Sequence, residues 1–181
     1  NHAHGHVILC GYGRSGQNIA WMLKKENIPI LGLDLDPVRV RDARDAGEQV
    51  VYGDAARRDV LLAAGLMQAR ALSISFIDPT VAFRILSATR DLRPDMPVIV
   101  RTIDDREMEA LKKAGATEVV PESLEGSLMM GSHVLMLLGV PVSRVLRQVQ
   151  DVRRGRYRML RGFFHGAVGV DETEESYRER L

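Results

Sequence analysis

The chain has 181 residues, 45% of them apolar, and a formal net charge of +1. That length suits one compact domain with a sizeable core plus an appendage, and the balanced charge argues against nucleic acid as a partner. A single cysteine, Cys10, excludes an intrachain disulfide framework or a cysteine-based metal cluster and fits a reducing compartment.

No signal-peptide pattern opens the chain, and no run nears the ~20 apolar residues of a membrane span, so taken alone it is expected to be soluble. Without an initiator Met it reads as a piece of something larger. His2, His4 and His6 alternate ahead of the first apolar run. Period-two spacing would let three imidazoles face one side and bind a metal, although such stretches are more often frayed termini, and no metal is assigned here.

Val7-Ile8-Leu9-Cys10 is short and β-rich enough for a buried strand. It breaks at Gly11-Tyr12-Gly13-Arg14-Ser15-Gly16, a G-x-G-x-x-G, and a helical pattern follows through Lys24-Lys25-Glu26. A second strand, Ile30 to Leu33, ends in Asp34. A glycine triplet between strand and helix, with an acid at the end of the next strand, is the dinucleotide-binding pattern. Gly11 permits the tight turn, Gly13 lets backbone N–H groups approach a pyrophosphate, and Gly16 lets the helix pack closely. The helix N-terminus offers free donors and a partial positive charge, and Arg14 adds a phosphate contact. Asp34 is placed for ribose hydroxyls. Its charge would repel a 2′-phosphate, which predicts NAD or an adenosine nucleotide over NADP.

Asp36-Pro37 predicts a cap and first turn for an amphipathic helix ending at Gly47. Val50-Val51-Tyr52 is a third strand, and Gly53-Asp54-Ala55 turns out of it. Asp54 either contacts the nucleotide base or caps the helix over 57–64. Further strands are predicted at Ala71–Phe76, Val98–Arg101 and Glu118–Val120, with helices at Val81–Leu92 and Asp104–Ala114 between them. Six short apolar strands alternating with helices predict a Rossmann-like α/β fold with a doubly wound parallel sheet, because parallel neighbours need helical crossovers.

Ser123 to Leu138 has almost no polar face. It is expected to associate with a partner, unless the chain's own remainder covers it. From Ser143 an Arg-rich stretch follows, including Arg144, Arg147, Arg153, Arg154, Arg156, Arg158 and Arg161, before an acidic tail at Asp171–Glu175. An anionic surface or a connector role suits it. The expected organisation is a tail over 1–5, a nucleotide-binding domain over 6–139 and a basic extension over 140–181.

The loop Gly11 to Gln17, the Asp34-Leu35-Asp36-Pro37 element, the Tyr52-Gly53-Asp54-Ala55 turn, Val100-Arg101 and Val119-Val120-Pro121-Glu122 occur together. As a set they closely resemble the RCK N-terminal domain, also called KTN or TrkA-N, which regulates potassium channels and transporters. The run Arg156 to Phe164 is similar to the segment following this domain in Kef-type monovalent cation:proton antiporters, and the resemblance spans about Gly5 to Gly166. It implies a regulatory domain at the cytoplasmic face of a membrane, attached to the transport domain of the same full-length chain. It also implies NAD(H), AMP, ADP or ATP as effector and a homodimer through the Ser123–Leu138 helix. Carried onto this chain, Gly11, Tyr12, Gly13, Arg14, Ser15 and Gly16 would form the phosphate loop. Asp34 with Leu35 would hold the ribose, Asp54 with Ala55 the adenine side, and Arg101 and Glu122 the border. Glutathione-gated members carry a second basic residue two positions after Arg101. Here that position is Ile103, so glutathione control is not implied.

The rival reading is a nicotinamide-dependent oxidoreductase. A short-chain type needs Tyr-x-x-x-Lys, and four residues beyond Tyr12, Tyr52, Tyr157 and Tyr177 stand Gly16, Ala56, Arg161 and Leu181. No histidine falls between Gly11 and Glu122 to serve as acid or base. A binding module rather than an enzyme is expected.

Overall fold

The computed structural model describes residues 4–160. His2, Arg161, Phe163, Phe164 and the acidic tail lie outside the described residues. Six strands form one sheet: β1 (Val7–Cys10), β2 (Ile30–Asp34), β3 (Val50–Tyr52), β4 (Ala71–Ile74), β5 (Val98–Thr102) and β6 (Glu118–Pro121). Their order is β3-β2-β1-β4-β5-β6, all neighbours parallel. The helices between them are α1 (Arg14–Lys25), α2 (Pro37–Asp45), α3 (Arg58–Ala63), α4 (Pro79–Leu92) and α5 (Met108–Lys113). The predicted parallel α/β architecture is the observed one.

Register explains where ligands can sit. Val7 pairs with both Ile30 and Ala71, and Cys10 with both Leu33 and Ile74, so β1 runs centrally between β2 and β4. The chain leaves β1 toward β2 on one side and returns to β4 on the other, which opens a crevice beyond the carboxyl ends of these strands. Both faces of the sheet are covered. Leu9, Tyr12, Ala20, Ile30, Val40, Ala43 and Val50 form one apolar cluster. Ile8, Leu72, Ile74, Ile85, Leu86 and Leu111 are also buried. Each such side chain contributes about 1.5–3 kcal/mol. Cys10 is fully buried, and that burial pushes its thiol pKa well above the usual cysteine range.

Several predicted bounds differ by one to four residues, those of β4, α4 and α5 the most; α4 begins at Pro79 instead of Val81, with Asp78 as its cap. β4 stops at Ile74 instead of Phe76, and just beyond it the Ser75 N–H and hydroxyl both donate to the Cys10 carbonyl, each at 3.1 Å, the hydroxyl also to that of Gly11 at 3.2 Å. α5 begins at Met108 instead of Asp104, after a turn in which Asp104 Oδ1 accepts the Arg106 N–H at 3.0 Å. His6 is buried, its Nε2 2.8 Å from the Ala64 carbonyl oxygen. Its ring is used in packing, and that leaves exposed His4 without it as a co-ligand.

The chain divides into two compact units, Asn1–Glu122 and Ser123–Leu181. The apolar helix, α6 (Glu122–Leu137), has Leu124 as its one buried residue. Within the second unit α7 (Val142–Arg154) follows. Arg153 donates to Glu125 at 3.0 and 2.8 Å, and the Tyr157 hydroxyl bonds the same carboxylate. Among the described residues no helix is long and apolar enough to cross a membrane.

Candidate functional site

The glycine loop is closed on itself. Gly11 has φ +97°, a left-handed conformation suited to glycine, and donates its N–H to Leu33 at 2.8 Å. A Cβ on Gly16 would sit 2.2 Å from the Gly11 carbonyl oxygen, and one on Gly11 would sit 2.7 Å from Ser75 Oγ. Gly13 is different: a Cβ there would meet nothing closer than Arg39 Cζ at 3.8 Å. Gly11 and Gly16 are therefore required by the loop itself, while Gly13 leaves an open approach. Gly13 is the N-cap of α1 and contributes no side chain to cap its first turn. A helix start of this kind aims backbone donors and a positive partial charge at an anion.

Asp34 closes the other side. Its Oδ2 accepts the Tyr12 N–H at 2.7 Å, its Oδ1 accepts the Asp36 N–H at 2.9 Å, and Arg39 Nη1 lies 3.1 and 3.3 Å from the two oxygens. The residue is 2% exposed. Burial alone would raise its pKa, but the two backbone donors and the Arg39 guanidinium outweigh burial and hold it below the ordinary 3.8. A lowered folded-state pKa contributes stability that is present above the unfolded value and is lost as pH falls through the folded one. Urea unfolding of wild type and Asp34→Asn should therefore differ by a constant amount above about pH 5 and converge on acidification below the ordinary 3.8. A difference that stays flat down to pH 2 would contradict this assignment.

Between these walls lies a cavity of about 440 Å³ at the strand ends. Gly11, Gly13, Arg14, Ser15, Gly16 and Asp34 line it from the β1–α1 and β2 side, with Arg101 and Glu122 opposite. Arg101 donates to Glu122 at 3.0 and 2.7 Å and to the Ser75 carbonyl at 3.2 Å, tying the ends of β4, β5 and β6 together. A larger cavity, about 550 Å³, lies between the flanks of α1 and α2 and is lined by Tyr12, Trp21, Lys24 and Glu48. None of the loop's glycines lines it; they and the strand ends surround the smaller cavity.

Eight of the twelve sequence-derived residues line the smaller cavity. Tyr12 serves it through its backbone alone, since its ring is buried in the core and faces the other cavity. Burial, followed by the Glu48 carboxylate, pushes the Tyr12 phenol up to about 12. Leu35 is exposed, Ala55 is buried, and neither lines the cavity. Asp54 also stands outside it, its Oδ1 accepting the Ala56 N–H at 2.9 Å ahead of α3. Sequence reasoning missed Asn18, Arg39, Ser75, Phe76 and Ile77, which do line it. Their one sequence signal is position: the last three follow β4, the strand across the crevice from β2.

The TrkA-N domain model matches residues 7–122. A putative K(+) efflux antiporter KefB from Alkalimonas amylolytica is 46% identical over 170 residues, covering 94% of this chain and 26% of the relative. A glutathione-regulated potassium-efflux system protein KefC from Escherichia coli O157:H7 is 30% identical, covering 85% of this chain and 25% of the relative. The chain thus spans about a quarter of these curated relatives. Among solved structures, the Shewanella denitrificans Kef CTD in AMP bound form is similar with a TM-score of 0.70 and 29% identity, covering 86% of this chain and 94% of that one.

Proposed function

The chain belongs to the TrkA-N domain family, and from that premise we propose that it is the nucleotide-sensing regulatory part of a membrane K⁺ efflux antiporter. An adenine nucleotide, AMP or NAD(H), with ADP and ATP of the same chemistry, binds at the strand-end cavity and is sensed without being consumed. The observation that carries this reading is the open Gly13 approach facing Asp34 across the β1–β2 end. The AMP named in the similar Kef structure supports it. Phosphate rests on the α1 N-terminus with Arg14 beside it, and the ribose lies against Asp34.

A sensing role suits the ionisable groups at the cavity. Asp34 is held ionised by three donors, and Glu122 is paired with Arg101. The Asp34 carboxylate, its pKa lowered by those donors, is not poised to move a proton near neutral pH. Titration calorimetry of the chain with AMP, NAD⁺ and NADH tests the reading: binding of at least one below about 1 mM is expected, about 4 kcal/mol or better. Saturating heats absent for all three would remove it.

The signal travels through a homodimer, in our reading, built on the Ser123–Leu138 helix at the cytoplasmic face of the membrane. Met130 is 69% exposed and Leu137 86% exposed, along with Met129, Val134 and Leu138. An apolar surface of that extent suits a self-complementary contact. His133 is exposed on the same helix. Leu137→Glu should convert dimers to monomers by light scattering with little loss of thermal stability in the Rossmann body. A mutant that stays dimeric would move the interface elsewhere. Nucleotide control of transport then requires different affinities for two dimer geometries, which the attached transport domain feels as a change in linker position.

A further inference from the structure

The Asp34 carboxylate has more partners than a ribose-binding acid can keep. A carboxylate offers about four acceptor positions. Two are taken by the Tyr12 and Asp36 N–H groups, which define the loop and cannot leave without opening it. The remaining position on each oxygen faces Arg39 Nη1, at 3.1 and 3.3 Å. A ribose diol would have to donate into those same two positions, so sugar and guanidinium compete for one surface.

We propose that Arg39 is an exchangeable counter-ion: it yields Asp34 to the ribose only by transferring to the ligand's phosphate, so the site takes phosphorylated ribosides and rejects the bare nucleoside. This rests on the nucleotide reading above and names the ligand class within it. The transfer is short. Arg39 Cζ stands 3.8 Å from the position of a Cβ on Gly13, so the guanidinium already borders the phosphate loop. Its backbone is fixed in the first turn of α2 by the Asp36 cap, while its side chain is 41% exposed and free to swing. Besides Asp34 it has one longer contact, to Asp36 at 3.9 Å. Guanidinium donors match a phosphate at least as well as a carboxylate. AMP displaces Arg39 from Asp34 and supplies a dianion in exchange. Adenosine displaces it and supplies nothing, so its apparent affinity falls by the fraction of time Arg39 spends away from Asp34.

Calorimetry on the whole 181-residue chain, with AMP and adenosine as probes, separates the outcomes. Arg39→Gln should weaken AMP by roughly 10-fold and strengthen adenosine by roughly 3-fold or more, because Asp34 is freed while the phosphate partner is lost. Arg44→Gln, an exposed arginine of α2 outside this cavity, removes the same charge and should leave both affinities within about 2-fold. Thermal melts establish that each variant is folded. Should Arg39→Gln fail to fold, Arg39→Lys should give the same opposed changes at smaller size, since an ammonium lacks the bidentate fork. Parallel weakening of both probes, or no change in either, overturns the role of Arg39 while leaving the nucleotide site in place. Silence of the wild type toward AMP overturns the site and Arg39's role with it.

Discussion

Gly16→Ala is expected to cost about 3 kcal/mol or more and to abolish adenine-nucleotide binding at millimolar concentration. In an ordinary helix the same change would stabilise by about 0.5–1 kcal/mol. Here the added methyl would lie 2.2 Å from the Gly11 carbonyl oxygen and 3.1 Å from its carbon. Both are backbone atoms, so no rotamer change relieves the contact. The loop must lift off α1, which breaks the Ser75 hydroxyl contacts and draws the Tyr12 N–H away from Asp34. Gly13→Ala is the informative partner. Gly13 has φ −73°, and a Cβ there would meet only Arg39 Cζ at an ordinary 3.8 Å, so alanine should change stability by less than about 0.5 kcal/mol while obstructing the phosphate approach. Urea unfolding and calorimetry on both variants should therefore separate folding from binding. If Gly16→Ala keeps its stability, the loop is not closed as described.

Asp34→Ala should lose about 3 kcal/mol of stability, since it strips the acceptor from two backbone N–H groups, each worth about 1–3 kcal/mol when left unsatisfied. Both donors, Tyr12 and Asp36, meet the carboxylate where it is 2% exposed, so water replaces it poorly. Nucleotide affinity should fall by roughly 100-fold as the charge-assisted ribose bonds vanish. Asp34→Asn keeps one oxygen for one of the two donors and should recover part of the stability but little of the affinity. Affinity unchanged in the alanine variant would mean that the sugar lies elsewhere.

Much of this was legible in the residues. Short apolar runs alternating with helical patterns pointed to six parallel strands, because parallel neighbours need helical crossovers, and Asp36-Pro37 marked the start of one of them. Asp34 was legible because the glycine triplet sets its distance from β1. Arg39 was not: periodicity assigns it with Arg41 and Arg44 to a solvent face, and only the β3-β2-β1 order swings the first turn of α2 over Gly13. Ser75 read as strand because its partners are carbonyls 64 and 65 residues away, a non-local event without a local signature. Asp54 was placed on the adenine side, or at the start of the helix over 57–64, because it ends a strand, and Ala55 joined it through the family resemblance alone. That strand is the edge of the sheet, two neighbours from β1 and so roughly 10 Å away laterally.

Cys10 ends the central strand beneath the loop, fully enclosed and with its proton held tightly. Oxidants and electrophiles react with thiolates they can reach, and this chain presents none to them. The one thiol of the sequence is thus shielded from redox chemistry for as long as the fold holds. Alkylating reagents should leave the native chain unlabelled.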